Sequence, residues 1–205
     1  MLLLLIFGIV LLPKAFALKC YECLPGLSAC TDTPKDCPSS THCSAMRVIS
    51  YAGSSKLSEL SMKTCALAEQ CVEGSINFGV SKTVLSTKCC TSELCNKQPA
   101  PDPPKNNPNG KKCYRCDGKT CTGTLNCEGN EDYCVSSEVD VGGNKMTMKG
   151  CASKSLCSSK GSAQIAEGLG SELSCCQGNY CNSAGAAIAS LVILVAPLIS
   201  LVLFS

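Results

Sequence analysis

Apolar and polar positions alternate most clearly in two stretches of the chain, and both predict hairpins. Residues 46–51, "MRVISY", form a strand candidate, "AGSSK" follows as a turn, and "LSELSMKTC" at 57–65 can return antiparallel. Further on, Val139 and Val141 share one face, Gly142-Gly143-Asn144 supplies a tight turn, and Met146 and Met148 alternate on the way back to Cys151. Residues 76–90, "INFGVSKTVLSTKCC", alternate less strictly but are rich in the β-branched residues that strands favour. In the glycine-rich stretch 158–176, "AQIAEGLG" leaves a short helical turn open.

The two ends have a different pattern. Leu2 to Leu12 is one apolar run, followed by Pro13 and Ala15-Phe16-Ala17. It falls short of the about 20 residues a bilayer-spanning helix needs, and the A-x-A triplet predicts a cleaved signal peptide over 1–17. At the other end the small residues Ser183, Ala184 and Gly185 precede an almost wholly apolar stretch from Leu191 to Phe204, with no charge after Glu172. Small residues, a spacer and a greasy tail predict a glycosylphosphatidylinositol (GPI) signal over 183–205. Ser183 is the expected attachment residue, with Asn182 as the alternative. The expected location is therefore the outer leaflet of the plasma membrane, reached through the GPI lipid.

Between these ends lie the cysteines, 20 in a chain of 205 residues without a single Trp. A chain this poor in large core residues cannot rely on burial alone for stability. The cysteines form two sets of ten: 20, 23, 30, 37, 43, 65, 71, 89, 90, 95 and 113, 116, 121, 127, 134, 151, 157, 175, 176, 181. Each set opens Cys-x-x-Cys, "CYEC" and then "CYRC", and each closes Cys-Cys-x4-Cys-Asn, "CCTSELCN" and then "CCQGNYCN". Five residues separate Cys65 from Cys71 and Cys151 from Cys157; seventeen separate Cys71 from Cys89 and Cys157 from Cys175. The chain is a tandem repeat of one module, with boundaries expected at 18–96 and 112–182. Five prolines make 97–111 a linker, able to hold the modules apart or to let them dock.

An exported chain with an even cysteine count at repeated spacing implies disulfides, and with one His, His42, mixed Cys/His metal sites have little to draw on. Neighbouring cysteines make strained partners for each other, so Cys89 and Cys90, and likewise Cys175 and Cys176, should bond outward to different partners. Spacing alone does not select among the remaining pairings. The formal charge is +2 and no basic stripe occurs, so nucleic acid is not an expected partner. No Ser/His/Asp set or phosphate-cradling loop can be built; Glu131 and Asp132 read as solvated carboxylates of a polar loop. The chain reads as a non-enzyme with no cofactor, no metal and no small-molecule substrate.

These features together resemble the lymphocyte-antigen/urokinase-receptor (LU, UPAR/Ly-6 type) family over roughly residues 18–182. The resemblance implies a small disulfide-rich all-β architecture of two tandem three-finger, snake-toxin-like domains. It implies the pairs Cys20–Cys43, Cys23–Cys30, Cys37–Cys65, Cys71–Cys89 and Cys90–Cys95 in the first module. In the second it implies Cys113–Cys134, Cys116–Cys121, Cys127–Cys151, Cys157–Cys175 and Cys176–Cys181. Asn96 and Asn182 match the family's closing Asn, whose amide is expected to bond main chain near the start of its module. The urokinase receptor's first module lacks the bridge expected for Cys71 and Cys89, so urokinase is not carried over as ligand. What the resemblance implies is binding of an extracellular or cell-surface protein, with the tips around 52–56 and 142–145 as candidate contacts. The alternative is a secreted inhibitor like the gamma-type inhibitors of secreted phospholipase.

Overall fold

The computed structural model describes residues 17–24, 31–39, 41–104, 107–117, 119–158 and 173–183. The expected signal peptide apart from Ala17, the apolar tail, the 163–170 stretch and Cys30 lie outside them. The first alternating stretch folds as β3 (His42–Ala52) and β4 (Ser55–Ala66). Ahead of it β1 (Lys19–Glu22) pairs antiparallel with β2 (Thr33–Asp36). Residues 76–90, read as one extended stretch, divide instead into β5 (Gly74–Asn77) and β6 (Ser81–Cys90). The break is a turn in which Phe78 N–H donates to Ser81 O at 2.8 Å.

The second module repeats the plan. β7 (Pro108–Arg115) pairs with β8 (Gly123–Glu128), and β9 (Tyr133–Val141) with β10 (Asn144–Ala152) around the Gly142-Gly143 turn. A single helical turn, α1 (Lys154–Cys157), and the strand β11 (Leu173–Gln177) complete it. β6 lies beside β3 as β11 lies beside β9.

The linker leaves the modules docked. One sheet of seven strands, in the order β11-β9-β10-β5-β6-β3-β4, runs through both, because β5 of the first module pairs with β10 of the second. Cys151 stands opposite Asn77 and Ala152 opposite Ile76. Gly150 makes this approach possible: a Cβ there would lie 1.9 Å from the carbonyl oxygen of Asn77. At the hairpin tip Gly79, at φ +84°, would set a Cβ 2.9 Å from Arg115 Cδ, so the β5–β6 tip is wedged against β7 and β8. The apolar core is shared accordingly, with Ile76 and Phe78 packed among Val135, Ala152, Leu156 and Leu173.

The first half of the linker lies along the first module. Ala100 is buried, Ser86 Oγ donates to Pro101 O at 2.9 Å, and Arg47 pairs with Asp102. β7 begins at Pro108, inside the stretch read as linker.

Candidate binding face

Covalent bonds set the frame on which any binding surface is displayed. The structure bonds Cys20 to Cys43, Cys37 to Cys65, Cys71 to Cys89 and Cys90 to Cys95. In the second module it bonds Cys113 to Cys134, Cys116 to Cys121, Cys127 to Cys151, Cys157 to Cys175 and Cys176 to Cys181. Cys23 is also in a disulfide. Two sulfur triplets, Cys20/Cys37/Cys65 and Cys113/Cys127/Cys151, are close enough to suggest metal ligation. Every one of those sulfurs is in a bridge, and metal ligation needs a thiolate.

Each module is closed by its final Asn in the same way. Asn96 accepts from Tyr21 N–H at 2.9 Å and donates to Tyr21 O and Ser44 O at 2.8 and 2.9 Å. Asn182 accepts from Tyr114 N–H at 3.0 Å and donates to Tyr114 O and Val135 O, both at 3.0 Å. The preceding loop turns back through a left-handed residue, Leu94 in one copy and Tyr180 in the other. Ser183 follows Asn182 and is exposed.

The seven-stranded sheet has two chemically different faces. Side chains alternate across a strand, and residues directly opposite in register share a face. In β3, β4 and β6 the charged residues are Arg47, Lys56, Glu59, Lys63, Lys82 and Lys88; the register places all of them on one face. Through Lys82, Asn77 and Cys151 that face continues to Glu138, Asp140, Lys145 and Lys149 of β9 and β10. β5 and β11 contribute no charge. The opposite face thus has no Asp, Glu, Lys or Arg on any of the seven strands.

On that uncharged face Met46 stands opposite Met62 and Thr87, and Val48 opposite Leu60 and Leu85. Leu60 is 42% exposed, and Met46, Val48, Met62 and Leu85 are half-buried. Leu85 and Met148 carry the surface into the shared core, and Met146 lies beyond, 50% exposed. The charged face, by contrast, carries the linker through Arg47 and Ser86.

Because β5 and β10 are antiparallel, residues after Asn77 and residues before Cys151 lead to the same end of the sheet. The tips at 52–56 and 142–145 both emerge there, and both are exposed.

One carboxylate reading is overturned. Glu131 is not solvated; it is 0% exposed at the junction, while Asp132 is exposed. Glu131 Oε1 accepts from Ser75 Oγ at 2.7 Å and faces Lys82 Nζ at 3.2 Å, and Oε2 accepts from Glu128 N–H at 2.9 Å. Lys82 also holds Glu128 at 2.6 Å. Burial works to lower the Lys82 pKa, but the hydrogen bond to Glu128 and the charge of Glu131 outweigh it and leave the ammonium above its ordinary value. No sequence signal marked Glu131, since Ser75 and Lys82, which meet its Oε1, belong to the other module. His42 is half-buried at the base of β3, and its Nδ1 has no hydrogen-bond partner among the described residues.

Residues 16–98 match the family model of the u-PAR/Ly-6 domain, and residues 112–182 that of snake toxin and toxin-like proteins. The urokinase plasminogen activator surface receptor of Rattus norvegicus is 28% identical over 83% of this chain and 56% of its own length. A gamma-type phospholipase A2 inhibitor of Elaphe climacophora is 34% identical over 46% of this chain and 54% of its own. The chain thus spans about half the length of these relatives, which by name are a receptor and an inhibitor. A crystal structure of mouse TEX101 aligns at 14% identity over 80% of this chain and 98% of that one, with a TM-score of only 0.30. By both family matches and by its cross-linked β modules, this chain belongs to the UPAR/Ly-6 and toxin-like three-finger family, as a tandem of two such domains.

Proposed function

We propose that this chain is a GPI-anchored cell-surface protein that binds an extracellular protein through the uncharged face of its shared sheet. The observation that supports this most is the sorting of every charge on the seven strands of the shared sheet onto the other face. Association desolvates whatever it covers, and buried charges without partners are costly, so interface centres are depleted in charge and rich in Met and aromatic residues. Met46, Val48, Leu60 and Met62 offer such a centre, with Ser50, Ser58 and Thr83 on the same face as hydrogen-bonding groups. The relative named as a surface receptor favours the cell-surface setting, and the small-residue and apolar tail favours a lipid anchor. Under this reading the protein acts through lateral partners or by holding an extracellular ligand, and lipid cleavage sheds it.

The test is made on cells displaying the full chain. Phosphatidylinositol-specific phospholipase C should release it, and the released protein, used as bait, should capture a partner. Leu60→Glu and Val48→Lys should each weaken that capture at least tenfold with unchanged circular dichroism, whereas Lys88→Glu on the opposite face should not. Equal capture by all three variants would refute the assigned face. The phospholipase A2 inhibitor relatives favour a second reading, a secreted inhibitor. Protein found only in the medium from the start would select it.

A further inference from the structure

The two modules handle one matching lysine differently. Lys63 stands two residues before Cys65 and opposite Ala45; Lys149 stands two before Cys151 and opposite Ser136. In the first module the Lys63 ammonium donates to Asp32 Oδ2 at 2.6 Å and to Lys97 O at 2.7 Å, Lys97 being the residue after the closing Asn96. Glu22 is nearby on the same hairpin, next to Tyr21. In the second module the acids are gone. Tyr114 holds its closing Asn as Tyr21 does, which puts Arg115 in the place of Glu22. Thr33 faces Glu22 as Gly123 faces Arg115, which puts Thr122 in the place of Asp32. Lys149 is nevertheless 6% exposed, and among the described residues it makes no hydrogen bond and no ion pair. No carboxylate among the described residues stands against the Lys149 ammonium as Asp32 stands against that of Lys63.

The group that Lys63 reaches after Asn96 has its counterpart in Ser183, the residue after Asn182. Ser183 is also the residue expected to carry the lipid. We propose that Lys149 is the counter-charge of the phosphate in the ethanolamine phosphate joined to the Ser183 carbonyl, so that the anchor's first charged group docks on the second module. This rests on the anchored reading. The chemistry is balanced: a phosphodiester carries one negative charge, the ammonium one positive charge, and charge-assisted hydrogen bonds to phosphate are among the strong ones. A short tether keeps the phosphate at about millimolar effective concentration, so a modest intrinsic affinity suffices. The anchor would then leave the module in a set direction instead of trailing from a free end.

The experiment compares the protein released from cells by phosphatidylinositol-specific phospholipase C, which keeps its ethanolamine phosphate, with the same chain ended by a stop codon after Ser183. The released form should melt about 2–4 °C higher. Lys149→Gln should abolish that gap, Lys149→Arg should keep it, and Lys111→Gln, which removes the same charge from β7, should leave it unchanged. The phosphorus resonance of the released form should move in Lys149→Gln, a readout independent of stability. A gap that survives in Lys149→Gln overturns the proposal while leaving the anchor intact. Full protection of the truncated form by millimolar inorganic phosphate would assign the site to a free oxyanion and overturn the tethered source. Mass spectrometry finding no ethanolamine phosphate on the C-terminal peptide would defeat the anchored reading itself.

Discussion

Single side chains at the base of each module replace a large apolar core. Asn182 satisfies one backbone N–H and two carbonyls drawn from different strands, and is itself buried. Asn182→Ala leaves those groups unpaired, at about 1–3 kcal/mol for each that stays dry. A loss of about 2–4 kcal/mol is expected in urea unfolding, and Asn96→Ala should behave alike. Glu131 acts at the junction. Glu131→Ala leaves Ser75 Oγ without its acceptor and Lys82 with Glu128 alone, and should cost about 1–3 kcal/mol, as loss of a buried hydrogen-bond partner does. Glu131→Gln should cost less, because an amide oxygen can still accept from Ser75. The raised Lys82 pKa gives the junction a pH dependence of definite sign. Its contribution is complete below the unfolded lysine value of about 10.4 and is lost as pH rises through the higher folded value. Thermal melts between neutral pH and strongly alkaline pH check this.

Among the elements, the β5–β6 hairpin differs most from what an isolated three-finger domain would show. In the first module Cys23 pairs through its backbone with Lys63 on the edge of β4; on β10 the corresponding side is met by β5 of the other module. Gly150→Val places side-chain atoms where the Asn77 carbonyl lies, so the hairpin must withdraw. The expected result is a larger radius of gyration in solution scattering and faster proteolysis of the linker, with all disulfides intact. The hairpins themselves rest on the bridges. Cys90→Ser removes the bond that closes the final loop of the first module, and loss of a native disulfide in a small exported domain costs about 2–5 kcal/mol. On the anchored reading proposed above, surface display of that variant should fall to a small fraction of wild type by flow cytometry.

For the whole molecule, a common sheet and a common core mean that the two modules should unfold together. Calorimetry of the full chain should give one transition, and Gly150→Val should give two. Much of this fold was legible in the sequence because covalent constraints are written into it: the duplicated cysteine spacing exposes the repeat, and alternation between Met46 and Cys65 exposes its main hairpin. What stayed hidden depends on contacts between distant residues. Nothing near Gly150 announces Asn77, and a Glu-Asp pair in a polar loop looks solvated until Ser75 and Lys82 arrive from the other copy. The uncharged face needed the register, since only pairing across β5 and β10 connects the alternation of one module with that of the next.

The wedged hairpin also makes the duplicated halves unequal. The first copy lends Ile76 and Phe78 to an interior that the second copy cannot fill by itself. A recombinant fragment starting near residue 108 would therefore expose a raw apolar slot and tend to aggregate, and reversing the order of the copies would not restore the fit. Antigens, crystallisation targets and chimeras of this protein should treat the pair as one indivisible cassette.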